Sequence, residues 1–214
     1  RRGVHGADAV VRAREAGAQI HAVLGVTVPG VPSVAQISSL PRGVFRELKL
    51  AAGWRGGLQD LAGAFDAEPH AWASVFAQSL RCADRQRMHG LLVGNIDLAV
   101  LTERGWFLYD YKTNDLGRGL AAYAATRDSG RLSPLDEGMI RSGYPLQAAL
   151  YATLVRRWAR ARGCISQSHV AGVSYLFLRG MQAGVADRGV WHWTPTEAVL
   201  DAIDAHLVHE EVPA

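Results

Sequence analysis

Cysteine is nearly absent: Cys82 and Cys164 are the two in 214 residues. That excludes a disulfide scaffold and any four-cysteine zinc or iron–sulfur site, and it points to a reducing cytoplasm. No apolar run approaches the ~20 residues of a membrane-spanning helix, which excludes a membrane bundle. The opening Arg1-Arg2-Gly3-Val4-His5 leads into no signal-peptide core. There is no Gly-Lys dipeptide, hence no Walker A loop, and the chain itself is not expected to hydrolyse ATP. The eight histidines show no metal-ligand spacing, and no Ser/His/Asp arrangement stands out. Internal repeats and low-complexity tracts are missing too.

Lysine is the most informative scarcity. Of 23 basic residues, only Lys49 and Lys112 are lysines. In a chain that otherwise uses arginine, each lysine raises the question of whether a compact ammonium is required there. The net charge of +3 is compatible with a polyanionic partner and does not demand one.

The rest of the composition, 49% hydrophobic and 20% charged, is that of a globular protein. Its length fits a single domain over 1–214, with an N-terminal helix and loop over 1–30 and a core over 31–214. The chain begins without Met, so a fragment or a processed piece is expected.

A helix is predicted from Asp8 to Leu24, with Asp8 as N-cap. Pro29, Pro32 and Pro41 mark a loop over 25–43. A strand follows at Phe45–Ala51, then a short helix or loop over 57–65 and a helix at Trp72–Leu80. Met88–Leu101 and Trp106–Tyr111 read as strands joined by a Glu103-Arg104-Gly105 turn. Residues 115–143 form a partly helical excursion. A helix over Tyr144–Arg162 stops at Gly163. Val170–Leu178 is a strand. Thr194-Pro195-Thr196-Glu197 reads as a capping box opening a helix to about Val208, with His206 and His209 exposed on it. Near-continuous apolar runs suit strands covered on both faces, so the fold class is α/β with a central mixed sheet flanked by helices.

Two aspartates sit in such runs. Asp97 follows Leu91-Leu92-Val93-Gly94-Asn95-Ile96, and Asp110 follows Trp106-Phe107-Leu108-Tyr109. Burying a carboxylate costs several kcal/mol unless it is paired, hydrogen-bonded or metal-bound. Strand alternation puts Asp110 and Lys112 on one face and Tyr109 and Tyr111 on the other. A hairpin would bring Asp97 close to Asp110. Two carboxylates repel unless a hard cation lies between them, and Mg²⁺ commonly takes one or two carboxylates, waters and a substrate phosphate. Such an ion polarises a phosphodiester and acidifies bound water, and a lysine beside it neutralises growing phosphate charge. The simpler alternative is a same-face ion pair, with Asp97 capping a turn. Tyr144, Gln147 and Tyr151 share one helix face, either as core-edge packing or as contacts to nucleic acid. Arg156, Arg157, Arg160 and Arg162 extend that helix, either towards phosphates or as a solvated end.

Gly94-x-Ile96-Asp97, the thirteen-residue step to Asp110-Tyr111-Lys112-Thr113-Asn114, and Tyr144-x-x-Gln147-x-x-x-Tyr151 together resemble the RecB nuclease family of the PD-(D/E)XK superfamily. Met88–Gly94 and Val173–Gly180 resemble its branch in exodeoxyribonuclease V beta subunits. The resemblance runs from about Val31 to the C-terminal helix. It implies a PD-(D/E)XK core and metal-dependent hydrolysis of DNA with one or two Mg²⁺ ions. Asp97, Asp110 and the Tyr111 carbonyl would hold metal, Asp110 and Lys112 would be catalytic, and Gln147 and Tyr151 would face DNA. It also implies gamma and alpha subunit partners, no membrane, and ATP use by helicase domains elsewhere in a longer subunit. Glu47 falls where related nucleases often carry a glutamate, but Glu47-Leu48-Lys49 fits loosely and stays outside the set. The family's N-terminal helix bears a metal-binding His in a pattern close to Gly-x-x-x-His-x-x-x-Glu. Gly17–His21 matches its first half, and Gly25 stands where Glu is expected. That departure keeps open a silent DNA-binding or subunit-docking module.

Overall fold

A computed structural model of the chain describes residues 32–33, 36–37, 43–83, 87–117, 119–126, 131–164, 167–182, 185 and 188–208. The helix expected over Asp8–Leu24, with His21, and most of the Pro-containing loop lie outside the described residues.

Six strands build one mixed sheet: β1 (Val44–Gly56), β2 (Met88–Thr102), β3 (Gly105–Lys112), β4 (Val170–Phe177), β5 (Val190–Trp193) and β6 (Leu207–Val208). Their spatial order is β5-β4-β3-β2-β1-β6. β3 and β4 run parallel, and every other neighbouring pair is antiparallel. The helices are α1 (Ala62–Asp66), α2 (Ala71–Cys82), α3 (Pro134–Arg141), α4 (Tyr144–Ala161) and α5 (Glu197–Asp204), with 3₁₀ turns at Leu58–Leu61 and Leu120–Tyr123. A parallel pair cannot be joined by a tight turn. The excursion after β3 supplies the crossover and carries α3 and α4. This is the α/β class expected, with a central mixed sheet flanked by helices.

Alternation along the strands divides the core. Trp106, Leu108, Val173, Tyr175 and Phe177 join Trp72, Trp191, Trp193 and the inner residues of α4 on one side. Ile37, Leu98, Val100, Phe107, Tyr109 and Leu176 form a smaller cluster on the other. Buried indoles need partners for their N–H groups. Trp193 Nε1 donates to Glu68 Oε2 at 3.0 Å, and Trp191 Nε1 donates to Asp136 Oδ1 at 3.0 Å. Glu68 also accepts from the Thr196 backbone N–H at 2.9 Å and from its hydroxyl.

Three expectations need correction. β1 runs on to Gly56 because β2 pairs with it as far as Gly56↔Met88, and pairing overrides the low strand propensity of its glycines. The last helix is capped by Thr196 rather than Thr194, since the Thr196 side chain accepts from Val199 N. That helix ends at Asp204, and Leu207–Val208 turns back to pair with β1. His206 is therefore off the helix. Its ring stacks on Trp54 with centroids 5.2 Å apart, and its Nδ1 lies 3.1 Å from the Arg55 carbonyl. β5, at four residues, is too short to show a period in the sequence.

The arginines ending α4 turn to protein partners. Arg156 is only 1% exposed, with Nη1 2.7 Å from Glu197 Oε2 and 2.8 Å from Asp201 Oδ1. Arg157 Nη1 donates to the Leu207 carbonyl at 3.0 Å, and the Arg162 guanidinium lies 4.6 Å from the Trp158 ring centroid. α4 stops as predicted, with Gly163 at φ 74° accepting a left-handed turn.

The acidic partners of Arg156 are half exposed, whereas the cation is not, and its Nε has no hydrogen-bond partner among the described residues. The desolvation cost therefore falls on the arginine. Glu197→Gln with Asp201→Asn should destabilise the chain by roughly 2–3 kcal/mol. Arg156→Met, which removes the buried charge and keeps the bulk, should be neutral or stabilising. Urea denaturation of both variants checks this, and the reverse order would show a net gain from the pair.

Candidate active site

The site lies where β2 parts from β3. The two strands pair from Thr102↔Gly105 to Leu98↔Tyr109. One step further, the register would set Asp97 against Asp110. There the ladder ends, and Asp97 Oδ2 accepts from the Tyr111 backbone N–H at 2.7 Å. The carboxylate takes the place of a strand partner. A strand residue's N–H and C=O project from the same edge, so the Tyr111 carbonyl also faces the gap that β2 leaves.

The same point is irregular on the other side of β2. The β1–β2 ladder runs Arg46↔Leu98 and then Leu48↔Ile96, passing over Glu47 and Asp97. Glu47 has φ 52°, the one non-glycine residue with positive φ among the described residues. That costs of order 1–2 kcal/mol. Alternation shifts by one here: Ile96 and Ala99 belong to the larger core cluster, while Leu98 and Val100 belong to the smaller. Asp97 thus marks a break in strand regularity on both edges.

β3 supplies the other charges. Asp110 is 5% exposed, and Lys112, two residues on, places Nζ 2.5 Å from Asp110 Oδ1. The expected shared face is borne out. Burial pushes the Asp110 carboxyl above its usual range; Lys112 pulls it down and the Asp97 charge pushes it up again.

α4 closes the site. Lys112 Nζ donates to Gln147 Oε1 at 3.1 Å and lies 4.3 Å from the Tyr144 ring centroid. Gln147 Nε2 donates to the Tyr151 hydroxyl at 3.1 Å, and that hydroxyl also bonds the Asn95 backbone. Tyr144 donates to Asn114 Oδ1 at 3.0 Å. Asp97, Asp110, Tyr111, Lys112, Gln147 and Tyr151 are thus brought into one contiguous group.

Two residues outside the predicted set border this group. Glu47 stands across from Asp97, with Oε2 accepting from Asn95 Nδ2 at 2.6 Å. Tyr175 on β4 is paired with Asp110 and donates to Gln147 Oε1 at 2.9 Å. The sequence signal for Tyr175 was faint: a phenol inside an apolar strand needs a polar partner.

The donor set suits a hard divalent cation. Two carboxylates and a backbone carbonyl are oxygen ligands of the kind Mg²⁺ takes alongside several waters. No group of three His, Cys, Asp or Glu side chains able to hold a metal occurs among the described residues.

The six-stranded mixed sheet with its helices, and the Asp97, Asp110 and Lys112 gathered at a strand break, fit a PD-(D/E)XK-like core. Comparison with known proteins narrows the class. The chain is 38% identical over 136 residues to the RecBCD enzyme subunit RecB of Mycolicibacterium smegmatis, covering 60% of this chain and 12% of that protein. Identity to RecB of Mycobacterium tuberculosis is 36% over 127 residues, 55% of this chain and 11% of that protein. For Escherichia coli RecB it is 32% over 130 residues, 58% of this chain and 10% of that protein. The resemblance to RecB drawn from the motifs is borne out. The chain spans about a tenth of the length of these relatives. No family model matches it.

Gly94 lets α4 approach β2. A Cβ there would meet Tyr151 Cε1 at 3.0 Å and Leu154 Cδ1 at 3.5 Å. Tyr151 is tethered through its hydroxyl and cannot yield freely. Gly94→Ala should destabilise the chain by roughly 1–2 kcal/mol. Thermal denaturation beside Gly90→Ala, where a Cβ meets nothing within 4 Å, checks it.

Proposed function

We propose that the chain is the nuclease part of a RecB-type helicase–nuclease, hydrolysing DNA phosphodiester bonds with Mg²⁺ in recombinational repair of double-strand breaks. One observation carries this reading: two aspartates and a lysine meet where a strand ladder opens. Similarity to RecB subunits supports it.

Asp97, Asp110 and the Tyr111 carbonyl would hold the metal. Bound there, the ion supplies a polarised phosphodiester and a more acidic water. Lys112 has three donor hydrogens. Asp110 and Gln147 take two of them; no further acceptor is found among the described residues, and the third would neutralise charge growing on a phosphate oxygen. Packing against Tyr144 and Tyr175 holds the ammonium in place. Gln147 and Tyr151 lie on the α4 face from which a DNA strand would be contacted. In the whole enzyme, DNA would arrive from helicase domains using ATP, and the gamma and alpha subunits would be the protein partners. The setting would be the cytoplasm; among the described residues, no helix is long and apolar enough to cross a membrane.

A second reading has its own observation. No third acidic or His ligand joins Asp97 and Asp110 among the described residues, and Lys112 already neutralises Asp110. This favours a silent DNA-binding or subunit-docking module.

Linear single- and double-stranded DNA incubated with Mg²⁺ or EDTA separates the two. Metal-dependent cutting that falls at least about 100-fold in Asp110→Ala and in Lys112→Ala supports the nuclease. No cutting by the unaltered chain, with no Mg²⁺ or Mn²⁺ binding by calorimetry, selects the docking module. Calorimetry also distinguishes the roles. Asp110→Ala should lose metal binding, whereas Lys112→Ala should retain it, because the ammonium competes for Asp110 and does not help bind the ion.

A further inference from the structure

Gln147 has one orientation that satisfies its neighbours. An ammonium only donates, so Lys112 requires the carbonyl oxygen of the amide. Its contact at 3.1 Å is with Oε1. In the flipped amide an NH₂ group would face the ammonium, donor against donor. Something must hold the amide against that flip, because both orientations have nearly the same shape.

Two phenols flank it. Tyr151 takes the Nε2 end at 3.1 Å, and Tyr175 donates to the Oε1 end at 2.9 Å. A hydroxyl both donates and accepts, so neither dictates the amide alone. The Tyr151 hydroxyl also bonds the Asn95 backbone, an N–H contact that makes it an acceptor there. The Tyr175 ring is fully buried. It is wedged between Trp191 (centroids 6.0 Å, edge-on) and Tyr144 (5.4 Å), which fixes its hydroxyl oxygen 2.9 Å from Gln147 Oε1. A phenol keeps its proton at neutral pH, so the hydroxyl has a hydrogen to donate. β4 is parallel to β3 and in register with it, Tyr175 beside Asp110. The strand that fixes Asp110 thus sits beside the one that fixes the amide.

We propose that Tyr175 is a positioning residue: through the Gln147 amide it fixes where the Lys112 ammonium stands relative to Asp110. Tyr175 touches neither substrate nor metal in this scheme and acts through Gln147. Its importance for catalysis rests on the nuclease reading above. The placement of the ammonium does not.

The chain contains two lysines, which makes the test direct. Lysine labelled at Cε and Nζ gives two sets of side-chain NMR signals, assigned with Lys49→Arg. Lys49 is exposed and reports the state of the fold. Lys112, 4.3 Å from the Tyr144 ring centroid and 5.1 Å from that of Tyr175, carries ring-current shifts. Tyr175→Phe keeps the ring and removes only the hydroxyl. The expected result is that Lys112 signals move towards those of Lys49, that Gln147→Leu moves them the same way, and that Lys49 stays put. Lys112 signals unchanged in Tyr175→Phe overturn the proposal.

Cleavage gives the second readout. Tyr175→Phe should lower kcat about tenfold, with the DNA KM and the Mg²⁺ requirement within twofold of the unaltered chain. Tyr175→Phe combined with Gln147→Leu should be no slower than Gln147→Leu alone. Multiplicative losses would show that Tyr175 acts independently of the amide and overturn the proposal. If the unaltered chain neither cuts DNA nor binds Mg²⁺ or Mn²⁺, the nuclease reading fails, and the lysine spectrum still decides whether Tyr175 places the ammonium.

Discussion

A hydrogen bond from a backbone N–H to a carboxylate organises this molecule's chemistry. β2 pairs with β1 at twelve positions along its course, but with β3 only over Leu98–Thr102. Leaving a buried strand edge without partners costs free energy at each unpaired group. Asp97 removes part of that cost by accepting from Tyr111 N at 2.7 Å. The same bond brings the Asp97 charge towards Asp110, on a strand whose register with β4 fixes it. An interruption in a ladder is thus converted into a place where two acids face the same small space.

Such a space is electrostatically unfavourable without a cation, and Lys112 supplies one. Its flexible stem and compact charge let it lie 2.5 Å from Asp110, bond Gln147, and sit over two aromatic rings at once. A guanidinium is planar and broader, and could not occupy the corner between Tyr144 and Tyr175 in the same way. This gives a physical reason for a lysine in a chain that uses arginine almost everywhere else. It also explains how two acids can be held close in the folded chain: Asp110 has a counter-charge on its own strand.

What the sequence revealed, and what it hid, follows from the range of the interactions. The β2–β3 hairpin, the shared face of Asp110 and Lys112, and the Tyr144–Gln147–Tyr151 face of α4 were legible because each depends on residues close in sequence. The spacing of Asp97 from Asp110 was legible for the same reason. Tyr175 was not, since its meaning comes from a parallel pairing across a long crossover. Glu47 was read and set aside; its position opposite Asp97 depends on β1–β2 register, and its left-handed backbone has no sequence signature in a non-glycine residue. The start of α5 is locally ambiguous and is settled from a distance. Thr194 and Thr196 are both plausible caps, and Glu68, over a hundred residues away, binds Thr196. Likewise the sequence leaves Arg156 as either a phosphate contact or part of a solvated helix end, and α5 covers it instead.

α4 ties these pieces together. Its first two turns carry Tyr144, Gln147 and Tyr151 to the site, and its fourth carries Arg156 and Arg157 to α5 and the β6 segment. Between them, Leu154 and Tyr151 rest on Gly94, where the absence of a side chain lets the helix come close to β2. The helix is therefore held at three points along its length: by phenol and amide bonds at one end, by close packing in the middle, and by a buried guanidinium at the other. A shift of the helix along its axis would disturb all three together. The position of a single amide group beside Lys112 is thereby referred to the packing of the whole helical layer, and a side chain on α4 can be held in register with charges on β3 although no covalent turn links them closely.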